Sequence, residues 1–233
     1  MRYLFLLIFC FLSGSRLYSQ KINSAYKLHI SETKLPIVID GFIDEEAWNV
    51  RDSAANFFMV SPMDTSYAKV RTTVRMTYDQ HNLYISAICY EPKPNTNYAV
   101  ESLRRDFAYT KNDNFLLIVD PFDDQTNGFT FGVNAAGAQW DGLIFNSNGY
   151  DLSWDNKWYS EVKHYSDRWV FEAAIPFKSI RYKKGIQTWG INFSRLDTKA
   201  PEKSAWAKIP RQFNVASLAY TGNLIWDNPP PEA

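Results

Sequence analysis

The chain has 233 residues, enough for one sizeable domain or two small ones. An apolar fraction of 45% is enough for a packed core and argues against disorder. The 25 basic and 25 acidic residues cancel, so no global field draws the chain toward nucleic acid or anionic lipid. Aromatic residues make up 16% of the chain, which suits pleated, half-buried strand surfaces.

The first stretch, 1–19, reads as a secretory signal. Arg2 supplies the positive start, 4–12 is a short apolar run, and small or polar residues follow it. Nine apolar residues cannot span a bilayer, which takes roughly 20. Cleavage is expected near Ser19 and Gln20, with export to the periplasm, the outer-membrane surface or the medium. The mature chain is expected to hold no transmembrane helix. Of the two cysteines, Cys10 falls inside the signal, and Cys89 is left alone in an apolar stretch as a buried free thiol.

Residues 20–34 read as an N-terminal extension, 35–227 as the domain, and 228–233 as a Pro-rich tail. The extended stretch 34–39 leads into the Asp40-Gly41 turn, and Asp44-Glu45-Glu46-Ala47-Trp48 reads as one short helical turn. Period-2 alternation over 69–78 puts Val70, Thr72, Val74, Met76 and Tyr78 on one face. The turn Asp79-Gln80-His81-Asn82 returns the chain into 83–90. Further strands are predicted over 114–119, 129–134, 139–145, 158–165, 169–175, 189–195, 204–209 and 222–226. About ten short strands with closely spaced turns, and no long amphipathic helix, imply an all-β sandwich or barrel.

Four stretches resemble the family 9 carbohydrate-binding modules. They run from Ile37-Val38-Ile39-Asp40-Gly41 to Ala47-Trp48, from Tyr78-Asp79 to Tyr84-Ile85, from Asn112-Asp113-Asn114 to Val119-Asp120, and from Trp169 through Glu172 to Ile175-Pro176, ahead of Trp189-Gly190-Ile191-Asn192-Phe193. The resemblance implies an antiparallel, jelly-roll-like β-sandwich that holds a sugar chain end between two aromatic rings, with structural calcium. A sugar's apolar ring faces suit aromatic stacking, and its hydroxyls need polar partners. At the positions where such modules carry their grip, this chain differs. Tyr109-Thr110-Lys111 stands near one Trp position, Leu116 replaces an acid, Gly132 replaces an Arg, and Phe213-Asn214-Val215-Ala216-Ser217 replaces the second Trp. The chain also resembles a variant found at the N-terminus of larger envelope proteins with a barrel-like remainder. The stretches Ser102-Leu103-Arg104-Arg105-Asp106 and Asn134-Ala135-Ala136-Gly137-Ala138-Gln139-Trp140-Asp141 fit it, and that likeness implies an outer-membrane barrel or envelope partner.

Candidate sugar-binding residues are therefore Arg104, Arg105, Tyr109, Trp140, Trp154 and Trp206. The competing reading makes the Arg–Asp pair a loop tie and packs the tryptophans on the sheet edge. The oxygen-rich loop after the third motif offers Asp120, Asp123, Asp124 and Asn127 as calcium ligands, or as an ordinary solvated turn. Catalysis has little support: His29, His81 and His164 lack zinc spacing, and no nucleophile elbow or phosphate loop occurs. Glu172 and Asp141 are the one imaginable glycosidase pair. The reading is an exported, non-catalytic, glycan-binding module. The alternatives are an envelope interaction domain without sugar binding and a haem-binding relative, with Met59, Met63 and Met76 as conceivable ligands.

Overall fold

The computed structural model describes residues 21–94 and 97–231. The expected signal lies outside the described residues. Among the described residues, thirteen strands form two facing sheets. The smaller sheet has the order β3-β4-β10-β9, from Thr72–Tyr78, Asn82–Tyr90, Arg168–Pro176 and Tyr159–His164. The larger sheet runs β1-β13-β11-β5-β6-β7-β8. These are Lys27–Ile30, Gly222–Trp226, Thr188–Asp197, Asn114–Asp120, Gly128–Asn134, Gln139–Phe145 and Gly149–Asp151. Strand β12 (Glu202–Ala205) branches off β11 and pairs with β2 (Phe58–Ser61). The expected all-β sandwich is therefore present.

Alternation decides which residues meet between the sheets. From the smaller sheet come Val74, Met76, Ile85, Ala87, Phe171 and Ala173; from the larger, Phe115, Leu117, Phe131, Ile191 and Phe193. Cys89 joins this core fully buried and unpaired, as expected, and burial pushes its thiol up to about 12. Thr77, on the other face of β3 opposite Tyr84, is also buried, and its hydroxyl donates to the Ser31 carbonyl.

The sandwich extends beyond the predicted strands. Lys27–Ile30, placed in the N-terminal extension by sequence, pairs in parallel with β13, buries Leu28 and Ile30, and makes the sheet not wholly antiparallel. Strands β2 and β8 were likewise missed. The stretch 34–39 forms no strand and carries a bend at Leu35, and the helical turn is a single 3-10 turn, Glu46–Trp48.

The motifs explain themselves as joints. The Gly41 backbone has φ +81, and a Cβ there would lie 2.7 Å from the Lys163 Cβ, so only glycine fits. Glu172 is fully buried on the outer side of β10 under that loop. One of its oxygens accepts from the Gly41 and Asp40 backbone N–H groups, at 2.8 and 3.2 Å, and the other from the Trp48 indole, at 2.9 Å. The first and fourth motifs thus clasp each other. Asp79 accepts from the backbone N–H groups of His81 and Asn82 and from the Tyr84 hydroxyl, fixing the hairpin. In the third motif, the Asn112 Oδ1 accepts from the Glu101 N–H, and Asp113 accepts from Ala99 and Thr198.

A charged cluster lies inside the fold. Arg195, 1% exposed, occupies the inward position that follows Trp189, Ile191 and Phe193 on β11. It donates to the carbonyls of Arg71 and Tyr90 and pairs with Glu91 at 2.8 Å and Asp197 at 3.1 Å. The Lys199 ammonium lies 3.4, 3.2 and 3.5 Å from carboxylate oxygens of Glu91, Asp113 and Asp197.

Candidate functional site

The outward face of the larger sheet carries a second apolar cluster. Leu116 and Ile118 of β5, Trp140 and Ile144 of β7, and Val215, Ala216 and Leu218 of the returning loop bury one another there. The positions singled out by resemblance do converge. Tyr109, Leu116, Ile118, Thr130, Trp140, Tyr150, Asn214, Val215 and Ala216 surround one small cavity. Its volume is only about 10 Å³, room for at most one water. Gly132 explains part of the closure: the Leu116 side chain leans over it, and a Cβ on Gly132 would lie 2.3 Å from the Leu116 Cδ2.

Three rings remain at this place. Trp140, 3% exposed, lies 6.4 Å from the Tyr109 ring centre and 5.9 Å from Tyr150. Tyr150 is 40% exposed at the rim. It sits on β8 opposite Ile144, so both face outward with Trp140. Tyr109 is half-buried, and its hydroxyl accepts from the Lys203 ammonium at 3.1 Å. Sequence reasoning missed Tyr150, because the β7–β8 register that turns it outward has no local signal.

The other proposed sugar contacts lie elsewhere. Arg105 is a structural tie, not a free ligand group. It pairs with Asp141 at 2.5 Å and Asp155 at 2.6 Å, and donates to the Gln139 side chain and the Asn156 carbonyl. Arg104 is exposed outside this cavity lining. Trp206, 6% exposed, is a core residue, edge-on to Tyr26 and packed on Phe193. Trp154 is half-buried against Phe129 and Phe131.

The candidate calcium loop does not fit a cation. Asp120 is buried and accepts from the backbone N–H groups of Phe122, Asp124 and Gln125. Asp124 accepts from the backbones of Thr126 and Asn127 and from the Asn127 amide. Asp123 pairs with Lys21 at 3.0 Å. Donors point at the oxygens a metal would need, the pattern of an Asx-stabilised turn. Among the described residues, no group of three or more His, Cys, Asp or Glu is arranged to hold a metal ion.

The imagined acid pair is not a pair in space. Glu172 lies beneath the loop on the smaller sheet, while Asp141 belongs to β7 of the larger sheet and is tied to Arg105. Burial raises both carboxyl groups above their ordinary values, and the Asn156 N–H and Arg105 oppose this at Asp141. Met59 and Met76 are buried and Met63 is exposed. No helix among the described residues is long and apolar enough to cross a membrane.

Two facing sheets with short connections define the class: a β-sandwich domain. A family model described as "Carbohydrate family 9 binding domain-like" matches residues 39–229, and the chain belongs to that family. Two similar solved structures are of a family 9 carbohydrate-binding module from Caldicellulosiruptor kristjanssonii. The one in complex with cellotriose has 18% identity and a TM-score of 0.60, covering 87% of this chain and 94% of that one. The one in complex with glucose has 16% identity and a TM-score of 0.58, covering 87% and 96%. A Bacteroides uniformis protein assigned as carbohydrate-binding has 12% identity and a TM-score of 0.65, covering 86% and 99%. At such identities the likeness speaks for the fold. No curated protein matches the chain.

Proposed function

We propose that the chain is an exported, non-catalytic carbohydrate-binding module that takes a neutral sugar at the Tyr109–Trp140–Tyr150 rim. The carrying observation is the contact of these three rings beside Leu116 and 214–216, where the family grip is expected. The likeness to modules in complex with cellotriose and glucose supports the ligand class. Leu116 and Gly132 remove the acid and the arginine that would pair with hydroxyls, so stacking on Tyr150 carries most of the affinity. The interior cavity is too small for a sugar ring, which supports a ligand held at the rim.

Titration calorimetry of the full chain with neutral oligosaccharides, cellotriose included, tests this. Binding is expected to weaken about tenfold in Tyr150→Ala, the scale of one lost stacking contact. Affinity unchanged by Tyr150→Ala, or no binding to any neutral oligosaccharide, would overturn the proposal. The closed apolar cavity favours a second reading, an envelope interaction domain that binds no sugar. A complete absence of saccharide binding would select it.

A further inference from the structure

Three clefts outside the Tyr109–Trp140–Tyr150 rim adjoin one another through shared lining residues, as one groove. The first, about 550 Å³, is lined by Gln80, Asn82, Lys157, Tyr159 and Lys178 among others. The second, about 460 Å³, shares Tyr159 and continues past Tyr84, Ala174 and Ser160 to Ile37 and Ile39. The third, about 430 Å³, shares Lys178 and continues past Trp154 and Asn156 to Arg181. Each is of ligand-site size.

The register explains the groove's middle. On the smaller sheet, Ala174 pairs with Tyr84 on one side and Tyr159 on the other. Directly opposite residues share a face, so a small residue floors a slot between two tyrosines. The Tyr159 ring is 50% exposed, and the Tyr84 hydroxyl is held by Asp79. Beyond the slot, the Lys157 ammonium stands 5.5 Å over the Tyr159 ring, with Lys178 and Arg181 farther along, all three exposed. The half-buried Trp154 ring lines the far end.

Charge sets the ligand class. No lining residue of the three clefts is Asp or Glu, although acids are 25 of the chain's 233 residues. Of the nearby acids, Asp79 is held by the hairpin, Glu32 by Gln80 and Asp155 by Arg105, while Glu161, two residues along β9 from Tyr159, is exposed outside the three linings. A groove that combines stacking rings, amides and three cations without a carboxylate suits a chain of sugar rings bearing negative groups. We infer that this groove is a second glycan site, specific for anionic oligosaccharides such as uronate-bearing chains. The inference rests on the carbohydrate-binding reading for its ligand class and uses a different surface.

The test is calorimetric titration of the full chain with an oligogalacturonate, with cellotriose, and with a single-stranded oligonucleotide, each at low and physiological salt. The oligogalacturonate is expected to bind, and more weakly as salt rises. Tyr159→Ala should weaken it about tenfold, the scale of one lost stacking contact. Lys157→Ala/Lys178→Ala should weaken it at least as much and flatten the salt dependence. The charge-matched control Lys27→Ala/Lys34→Ala, at exposed positions outside the three linings, should bind as the parent does. Unchanged oligogalacturonate affinity in the Tyr159 and double-lysine variants would overturn the inference, as would tighter binding of the oligonucleotide. Cellotriose binding without oligogalacturonate binding would overturn the groove assignment alone. Failure of every saccharide would overturn the carbohydrate reading with it.

Discussion

Arg195→Met is expected to destabilise the protein by about 3–5 kcal/mol, a large share of the roughly 5–15 kcal/mol that holds a domain folded. The cause is what stays behind. Glu91 and Asp197 are buried, each with an oxygen close to the Arg195 guanidinium, and the carbonyls of Arg71 and Tyr90 accept from it. Lys199 alone would then face the carboxylates of Glu91, Asp113 and Asp197. Burial already lifts the Glu91 carboxyl above its ordinary value, despite the opposing charges of Arg195 and Lys199. Methionine fills a similar volume and supplies neither charge nor donors. Urea unfolding measures the effect; a loss under about 1 kcal/mol would mean that the cluster is not the internal brace described.

Glu172→Ala should cost about 2–3 kcal/mol, because it strands the buried Gly41 N–H and the Trp48 indole and removes the acceptor of the part-buried Asp40 N–H. The same substitution should change the pH dependence. Burial raises the Glu172 carboxyl to about 7, the neighbouring Glu45 charge adds to this, and the three donors oppose it. Its ordinary value is 4.5, so between pH 4.5 and 7 the folded protein keeps a proton that the unfolded chain has released. This group's contribution is therefore complete below 4.5 and lost as pH rises through 7. Removing it should flatten the fall in stability across that window. Urea midpoints measured from pH 4 to 8 would contradict this if the variant kept the parent's slope.

Alternation made the two-sheet core readable in the sequence. The run from Val70 to Tyr78 carried its inward face in its period, and β7 and β13 occupy the predicted residues. The missed strands are short or rely on distant partners. Strand β1 has four residues paired with β13 some 200 positions away, and β8 has three. Arg195, a cation on the inward side that follows Trp189, Ile191 and Phe193, is not among the residues the sequence singles out, because its partners Glu91 and Tyr90 lie about 100 positions away. The rings were less legible, because exposure depends on register and loop return. Trp206 enters the core by packing on Phe193, whereas Tyr150 and Tyr159 reach the surface through pairings that no local pattern announces. Arg105 looked ligand-facing because Asp141 and Asp155, which hold it, are 36 and 50 residues away in the chain.

The most direct measurement is nuclear magnetic resonance of the indole and tyrosine ring signals during titration with cellotriose. Binding at the rim predicts that the Trp140 indole and the Tyr150 ring shift in a saturable way, while the core indoles of Trp169, Trp189 and Trp226 stay in place. Saturating sugar that leaves Tyr109, Trp140 and Tyr150 all unmoved would contradict the account.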